Sequence, residues 1–109
     1  MTARKRITVD STSEWTIVEV ELPKKIRLRR IRAVMEDVGD VAVSFREADP
    51  VSSSLDTVVE YALAPGPLDS EEDLYAEAGD GNAKRGNFYI AIKSSVDTEV
   101  TCQVEYDTQ

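Results

Sequence analysis

Apolar residues alternate with polar ones through most of this 109-residue chain. A two-residue period is typical of a β-strand that buries one face and exposes the other. The alternating sets indicate about eight strands. Their apolar-phase members are Ile7 and Val9; Thr16, Val18, Val20 and Leu22; Ile26 and Leu28; Val41, Val43 and Phe45; Val59, Tyr61 and Leu63; Leu74, Ala76 and Ala78; Phe88, Ile90 and Ile92; and Val100, Cys102, Val104 and Tyr106.

Turn-forming residues separate these sets. Pro65-Gly66-Pro67 and the segment from Gly79 to Gly86 are examples, because glycine adopts positive φ and proline removes a ladder donor. No window carries a clear 3.6-residue apolar period. The best helix candidate is Leu68 to Tyr75, where Asp69 or Ser70 would cap one helical turn at most. We therefore predict an all-β fold.

Short strands with one polar face each predict two packed sheets. The leading interpretation is one domain over residues 1–109, an eight-stranded antiparallel β-sandwich that resembles a jelly roll. An immunoglobulin-like Greek-key sandwich is the alternative, although the single cysteine, Cys102, rules out the paired cysteines of antibody domains. Because Cys102 shares the phase of Val100 and Val104, we expect a buried structural thiol.

One strand breaks its own alternation. Ile26 and Leu28 share one phase, whereas Ile31 and Ala33 share the other, so the change falls at Arg29-Arg30. A β-bulge there would return Ile31 to the core face. The alternative is a strand covered on both faces, by the sandwich on one side and by a neighbouring chain on the other.

Charge is distributed unevenly along the chain, whose net charge is −8. Nine of the 13 basic residues, but only four of the 21 acidic residues, lie between Ala3 and Arg32. A small domain with two oppositely charged parts attracts copies of itself or a surface of one sign. We expect the strand at the phase change to face carboxylates, most of all on a neighbouring molecule. The candidate interface residues are Lys24, Lys25, Arg27, Arg29, Arg30, Arg32 and Trp15.

Catalytic chemistry is not evident in the sequence. The chain has no histidine, which is the commonest general base near neutral pH and the commonest zinc ligand. It also lacks a nucleophile elbow, a phosphate-binding glycine loop and a Cys-x-x-Cys pair. We predict a protein that is not an enzyme and that binds no cofactor or metal. Calcium binding by the acidic segment 69–82 is left open.

Nucleic acid and membranes are not expected partners. The net charge is −8, and no aromatic residue lies between Trp15 and Phe45 to stack on bases. No apolar run approaches the ~20 residues of a spanning helix. The basic start at Arg4-Lys5-Arg6 has no apolar stretch after it, so we predict no signal peptide.

The order of segments from Val34 to Tyr106 resembles small β-sandwich structural proteins of tailed-phage virions. Val41-Ala42-Val43-Ser44-Phe45 leads to a serine-rich loop, then to Val58-Val59-Glu60-Tyr61 and the segment Ala64 to Tyr75. Asn87 to Lys93 and Val100 to Tyr106 close the resemblance. It implies a structural protein located in the virion that decorates or cements a bacteriophage capsid. It also implies a homo-oligomer, with a trimer favoured, and a major capsid protein or other virion protein as partner.

A second resemblance competes with the first. Asp73-Leu74-Tyr75, a glycine-rich gap and Gly86 to Ile92 are similar to accessory β-sandwich domains of secreted bacterial peptidases. This implies a carbohydrate- or protein-binding module of a bacterial cell-surface system, located at the cell surface or outside the cell. A stand-alone regulatory or adaptor domain is a third hypothesis.

Overall fold

The computed structural model describes residues 1–48, 54–78 and 85–108. Within these ranges the chain forms strands and turns, and no helix. The strands are β1 (Thr2–Val9), β2 (Thr16–Pro23), β3 (Lys25–Met35), β4 (Asp40–Ala48), β5 (Leu55–Pro65), β6 (Leu68–Glu77), β7 (Arg85–Ser94) and β8 (Thr98–Thr108). The all-β prediction is confirmed.

The strands form two four-stranded antiparallel sheets. The first sheet has the order β1-β8-β3-β6, and the second sheet has the order β2-β7-β4-β5. Strands β1 and β8, β2 and β7, β3 and β6, and β4 and β5 are hydrogen-bonded neighbours. The chain is therefore one long antiparallel hairpin rolled into a sandwich. This order is that of a jelly roll, not of the immunoglobulin-like alternative.

The core lies between the sheets and takes side chains from both. The rings of Phe45 and Phe88 stack with their centroids 5.3 Å apart and an interplanar angle of 13°. Cys102 is fully buried in the first sheet, as its phase predicts. Most apolar members of the alternating sets are buried, so the period-two pattern identified the core faces correctly.

Strand β5 is the exception to that agreement. Leu63 is 49% exposed, although it shares the phase of Val59 and Tyr61. The pairing of β4 with β5 shifts between Val41 and Val43, which lie opposite Ala64 and Tyr61. The extra residue on β5 changes the phase of Leu63, so its predicted burial is wrong.

The predicted bulge in β3 is confirmed. Leu28 and Ile31 are both fully buried, and the register shifts between Leu28 and Arg30 against both neighbouring strands. Arg29 and Arg30 therefore both belong to the outer face. The two-residue step from Leu28 to Arg30 in β3 lies opposite a one-residue step in β8, from Tyr106 to Glu105. It lies opposite a three-residue step in β6, from Leu74 to Glu71.

The segment Leu68 to Tyr75 does not form the predicted helical turn. It belongs to β6, which alternates along its length from Leu68 to Ala76. Pairing with the arginine-rich strand β3 offsets the repulsion among the acidic residues of β6. The pairing of β6 with β3 therefore determines the conformation of this segment, and the local helix-capping residues do not.

Backbone hydrogen bonds fasten the turns at each end of the sandwich. At one end, the Gly66 amide donates to the Gly39 carbonyl at 3.1 Å, and the Ser95 amide donates to the Asp40 carbonyl at 3.0 Å. At the other end, the Ala78 amide donates to the Lys24 carbonyl at 2.9 Å. These hydrogen bonds hold the ends of the strands in place at both ends of the sandwich.

Candidate functional site

The outer face of the first sheet carries the four candidate arginines of β3, which are Arg27, Arg29, Arg30 and Arg32. β3 lies between β8 and β6, and its outward arginines have carboxylates on both sides. We call this set the charged face. Its charged members are Arg4, Arg6, Arg27, Arg29, Arg30, Arg32, Asp69, Glu71, Asp73, Glu77, Glu99, Glu105 and Asp107. The uncharged Gln103 lies among them and accepts hydrogen bonds from Arg4.

Two arginines at the bulge join β3 to both neighbours. Arg27 binds Asp73 of β6 through two nitrogens, one of them 2.9 Å from Oδ2. Arg29 Nε lies 2.7 Å from Asp107 Oδ2 of β8, while its Nη1 lies 3.5 Å from Asp73 Oδ1. A chain of alternating charges therefore crosses three strands.

The next arginine extends this pattern along β3. Arg30 Nη2 lies 2.5 Å from Glu71 Oε1, and Arg30 Nε lies 3.5 Å from Asp69 and 3.7 Å from Glu105. Arg32 shares Asp69 at 3.5 Å. Because each arginine has several carboxylate partners, these ion pairs form a network. Such a network contributes more to folding stability than isolated surface ion pairs do.

The ends of the charged face are less densely paired. Arg6 binds Glu99 and lies 3.5 Å from Glu36. Lys24 Nζ lies 3.8 Å from Glu77. Lys25 is exposed, and among the described residues it has no ion-pair partner. It borders an open cleft of about 270 Å³ together with Tyr75, whose ring centroid lies 5.0 Å from the Arg27 guanidinium.

These contacts lower the pKa values of three carboxyl groups. The hydrogen bond from Arg27 lowers the pKa of Asp73, and that from Arg29 lowers the pKa of Asp107. Arg6 similarly lowers the pKa of Glu99. A carboxylic acid that works as a general acid near neutral pH needs a raised pKa. These three groups are therefore ionised near neutral pH, which is the form that pairs with arginine.

The charge division seen along the sequence is reorganised by the fold. The basic strand β3 lies between the acidic strand β6 and the carboxylates of β8, so opposite charges interleave across one sheet. The carboxylates that face β3 belong to the same chain. The β3 arginines therefore pair with carboxylates as expected, but the carboxylates come from the same chain and a neighbouring molecule is not required to supply them.

Trp15 lies apart from the other candidate interface residues. Its ring centroid is 5.2 Å from the Arg46 guanidinium and 5.6 Å from Lys93 Nζ. Both cations are on the second sheet, where Arg46 Nε also donates to the buried Ser44 hydroxyl at 2.9 Å. Trp15 and the β3 arginines thus occupy opposite outer faces and cannot form one flat contact surface.

The described residues contain no group of three or more acidic or cysteine side chains placed to hold a metal ion. In the acidic segment 69–82, for which calcium binding is an open alternative, Asp69, Glu71 and Asp73 pair with arginines. Asp80 and Asn82 lie outside the described residues. No helix in the described part of the chain is long and apolar enough to cross a membrane.

An apolar cleft of about 210 Å³ lies at the end of the sandwich that contains Gly39 and Gly66. Val34, Val38 and Pro67 line it. Val38 is 99% exposed and Val34 is 50% exposed. Exposed apolar side chains that share one cleft are a feature of protein contact sites.

Two charged residues with inward phase were not singled out from the sequence. Lys5 is paired with the buried Cys102 in register and shares the phase of Ile7. Glu72 shares the phase of Leu74, and its Oε1 accepts a hydrogen bond from Tyr61 of the second sheet at 2.5 Å. Both could have been found, because each places a charge on the apolar phase of an alternating strand.

No protein-family model, curated protein or solved structure matches this chain. The strand order of the described residues defines the class as an eight-stranded jelly-roll sandwich.

Proposed function

We propose that this chain is a non-enzymatic structural protein that decorates or cements a phage capsid through protein–protein contacts. The observation that carries the proposal is the strand order, β1-β8-β3-β6 over β2-β7-β4-β5. Viral capsid domains use the jelly roll. Since one fold hosts many functions, this support is an analogy at the level of the fold.

Two surface properties agree with a role in assembly. The charged face presents ionised groups held in place by neighbouring strands, and an ordered charge pattern gives specificity to contacts between proteins. The cleft beside Val38 supplies exposed apolar side chains. The residues Lys24, Lys25, Arg27, Arg29, Arg30 and Arg32 stay candidates for the capsid contact.

The genomic position of the coding sequence and the composition of the particle test this proposal. We expect capsid or tail genes beside the coding sequence. Mass spectrometry of particles purified from that phage should detect the chain in a fixed ratio to the major capsid protein. A chain encoded among cell-surface genes, or absent from the purified particles, would contradict the proposal.

A carbohydrate- or protein-binding module of a bacterial cell-surface system is the second candidate. The aromatic ring of Trp15 beside Arg46 and Lys93 of the second sheet favours it, because Trp side chains are enriched at contact surfaces. A sugar at this ring would compete with Arg46 and Lys93, which already contact it.

A glycan array read with and without calcium tests this candidate. Binding that disappears in Trp15→Ala, but persists in the control Tyr75→Ala, would support it. An array without signal would argue against it.

A further inference from the structure

The two open edges of the first sheet carry opposite charges. β1 is an edge strand with three consecutive basic residues, Arg4-Lys5-Arg6, and no acidic residue. β6 is the opposite edge strand, with five acidic residues and no basic residue. An edge strand presents unpaired backbone groups that can pair with another strand. The two edges of one molecule are therefore complementary to each other.

Strand directions allow these edges to meet between two molecules. All neighbours in the first sheet are antiparallel, so β1 and β6, at the ends of a four-stranded sheet, run in opposite directions. A second copy placed beside the first in the same orientation brings its β1 antiparallel to β6. The sheet would continue across the boundary without any change of pattern.

One register matches the side chains on both faces. Placing Lys5 opposite Glu72 aligns the two inward charges. The same register places Arg4 opposite Asp73 and Arg6 opposite Glu71 on the outer face. Every residue of β1 then has a partner in β6, because positions 2–9 align with positions 75–68.

The inward pair is the most specific part of this match. An inward-pointing charge on an edge strand normally prevents pairing with another sheet, because it would be buried without a partner. Lys5 on β1 and Glu72 on β6 are two such charges of opposite sign. Each would be the other's partner. The two hydrogen bonds described at Glu72 both end on Oε1, which leaves Oε2 for an ammonium group.

The outer pairs have room to form. Glu71 has a side chain that is 79% exposed, that of Asp73 is 57% exposed and that of Arg6 is 68% exposed, although each already has a partner in its own chain. The second sheet lacks this complementarity. Its edge strands β2 and β5 both carry acidic residues, among them Glu19, Glu21 and Glu60.

We propose that copies of this chain associate head to tail through pairing of β1 with β6 of the next copy, with Lys5 opposite Glu72. Such a contact is heterologous, so it closes into a ring or continues as a filament. The inference rests on the homo-oligomer that the proposed function expects. It names the surface that joins the copies, which is separate from the capsid contact.

Sedimentation equilibrium of the full chain and its charge-reversal variants tests the proposal. We expect concentration-dependent association that added salt weakens. Lys5→Glu alone and Glu72→Lys alone should each weaken it by about tenfold or more, since like charges would face each other. An equimolar mixture of the two variants should restore association in filaments and even-membered rings, where the variants alternate and every contact regains opposite charges. A three-membered ring cannot alternate and should recover two of its three contacts.

Matched controls and an independent readout keep the test decisive. Lys25→Glu and Glu21→Lys change the net charge equally at other exposed positions and should leave association intact. Far-UV circular dichroism checks the fold of each variant. In the unmodified chain, amide hydrogen exchange in β1 and β6 should slow as protein concentration rises.

Three outcomes would overturn the proposal. A chain that stays monomeric at high concentration has no such contact, and particle composition would still test the capsid role separately. An oligomer unaffected by either reversal is joined by another surface. Loss of association with no recovery at all in the mixture, not even of pairs of the two variants, would rule out the Lys5–Glu72 register.

Discussion

The phenyl ring of Phe45 shows how much one buried side chain contributes to this small core. It is fully buried and stacks on Phe88, joining β4 to β7 within the second sheet. We expect Phe45→Ala to lower the free energy of unfolding by about 3–5 kcal/mol, as removal of a buried ring leaves a cavity. Urea denaturation measures this change. Val38→Ala, at a 99% exposed position, should change it by less than about 0.5 kcal/mol.

The thiol of Cys102 gives a probe of the first sheet. Burial raises its pKa to about 12, and the thiolate is the reactive form. We expect no labelling by a thiol reagent at pH 8 in the native protein and rapid labelling in urea. Fast labelling of the native chain would show that the first sheet opens readily.

The charged face makes stability depend on pH. The folded pKa values of Asp73, Asp107 and Glu99 lie below their ordinary values because arginines bind the ionised forms. Their contribution is present above the unfolded pKa values and is lost as pH falls through the folded ones. The midpoint of urea unfolding should therefore decrease below about pH 4.5.

Substitution locates the source of that pH dependence. Asp73→Asn and Asp107→Asn should each lower the midpoint at pH 7 and flatten its decrease in acid. Asp10→Asn, at an exposed residue outside the charged face, should leave the profile nearly unchanged. Parallel profiles in all three variants would show that the network does not contribute.

At the scale of the strand, the β3 bulge allows one residue to be removed without moving the core. Without Arg29, Leu28 and Ile31 would be separated by Arg30 alone, and strict alternation would return. We expect deletion of Arg29 to retain the fold and cost about 1–2 kcal/mol. Deletion of Arg32 should cost more, because a one-residue slip moves the following core side chains to the wrong face.

Circular dichroism and urea denaturation compare the two deletions. Equal losses of stability would mean that the bulge can migrate along β3 and absorb either deletion. A larger loss on deletion of Arg29 would mean that the extra residue itself holds β3 between β6 and β8.

The same strand shows what the sequence could and could not predict. The shift of phase between Leu28 and Ile31 located the bulge, because burial imposes a strict period. The same reasoning predicted the burial of Leu63 wrongly, because the register shift between β4 and β5 is not visible in the apolar pattern of the sequence. The helical turn predicted from Leu68 to Tyr75 does not form. Its capping signals are visible in the local sequence, whereas the pairing of β6 with β3 joins residues that are distant in the sequence.

The surface was harder to predict than the core. Charge counts along the chain separated a basic part from an acidic part, but strand order decides which charges meet. Strand order places β3 between the acidic residues of β6 and β8. The inward charges Lys5 and Glu72 were readable from phase alone, yet their relation as opposite edges of one sheet needed the topology.

At the scale of the whole molecule, the strand order makes the last strand central to the first sheet. β8 pairs with both β1 and β3 and contributes Val100, Cys102 and Val104 to the core. A chain that ends at residue 97 should lose its cooperative unfolding transition. Removal of residues 1–4 from the open edge should leave that transition in place. Urea denaturation of both shortened chains checks this, and a cooperative transition in the first would contradict it.

This strand order also sets when the protein can fold during its synthesis. The central partners of both sheets, β7 and β8, come last in the chain, while β1 and β2 come first. A growing chain on the ribosome therefore holds β1 and β2 without their sheet neighbours until β7 and β8 have emerged. The rolled hairpin ties the completion of both sheets to the synthesis of β7 and β8, and a chaperone would shield the unpaired early strands until then.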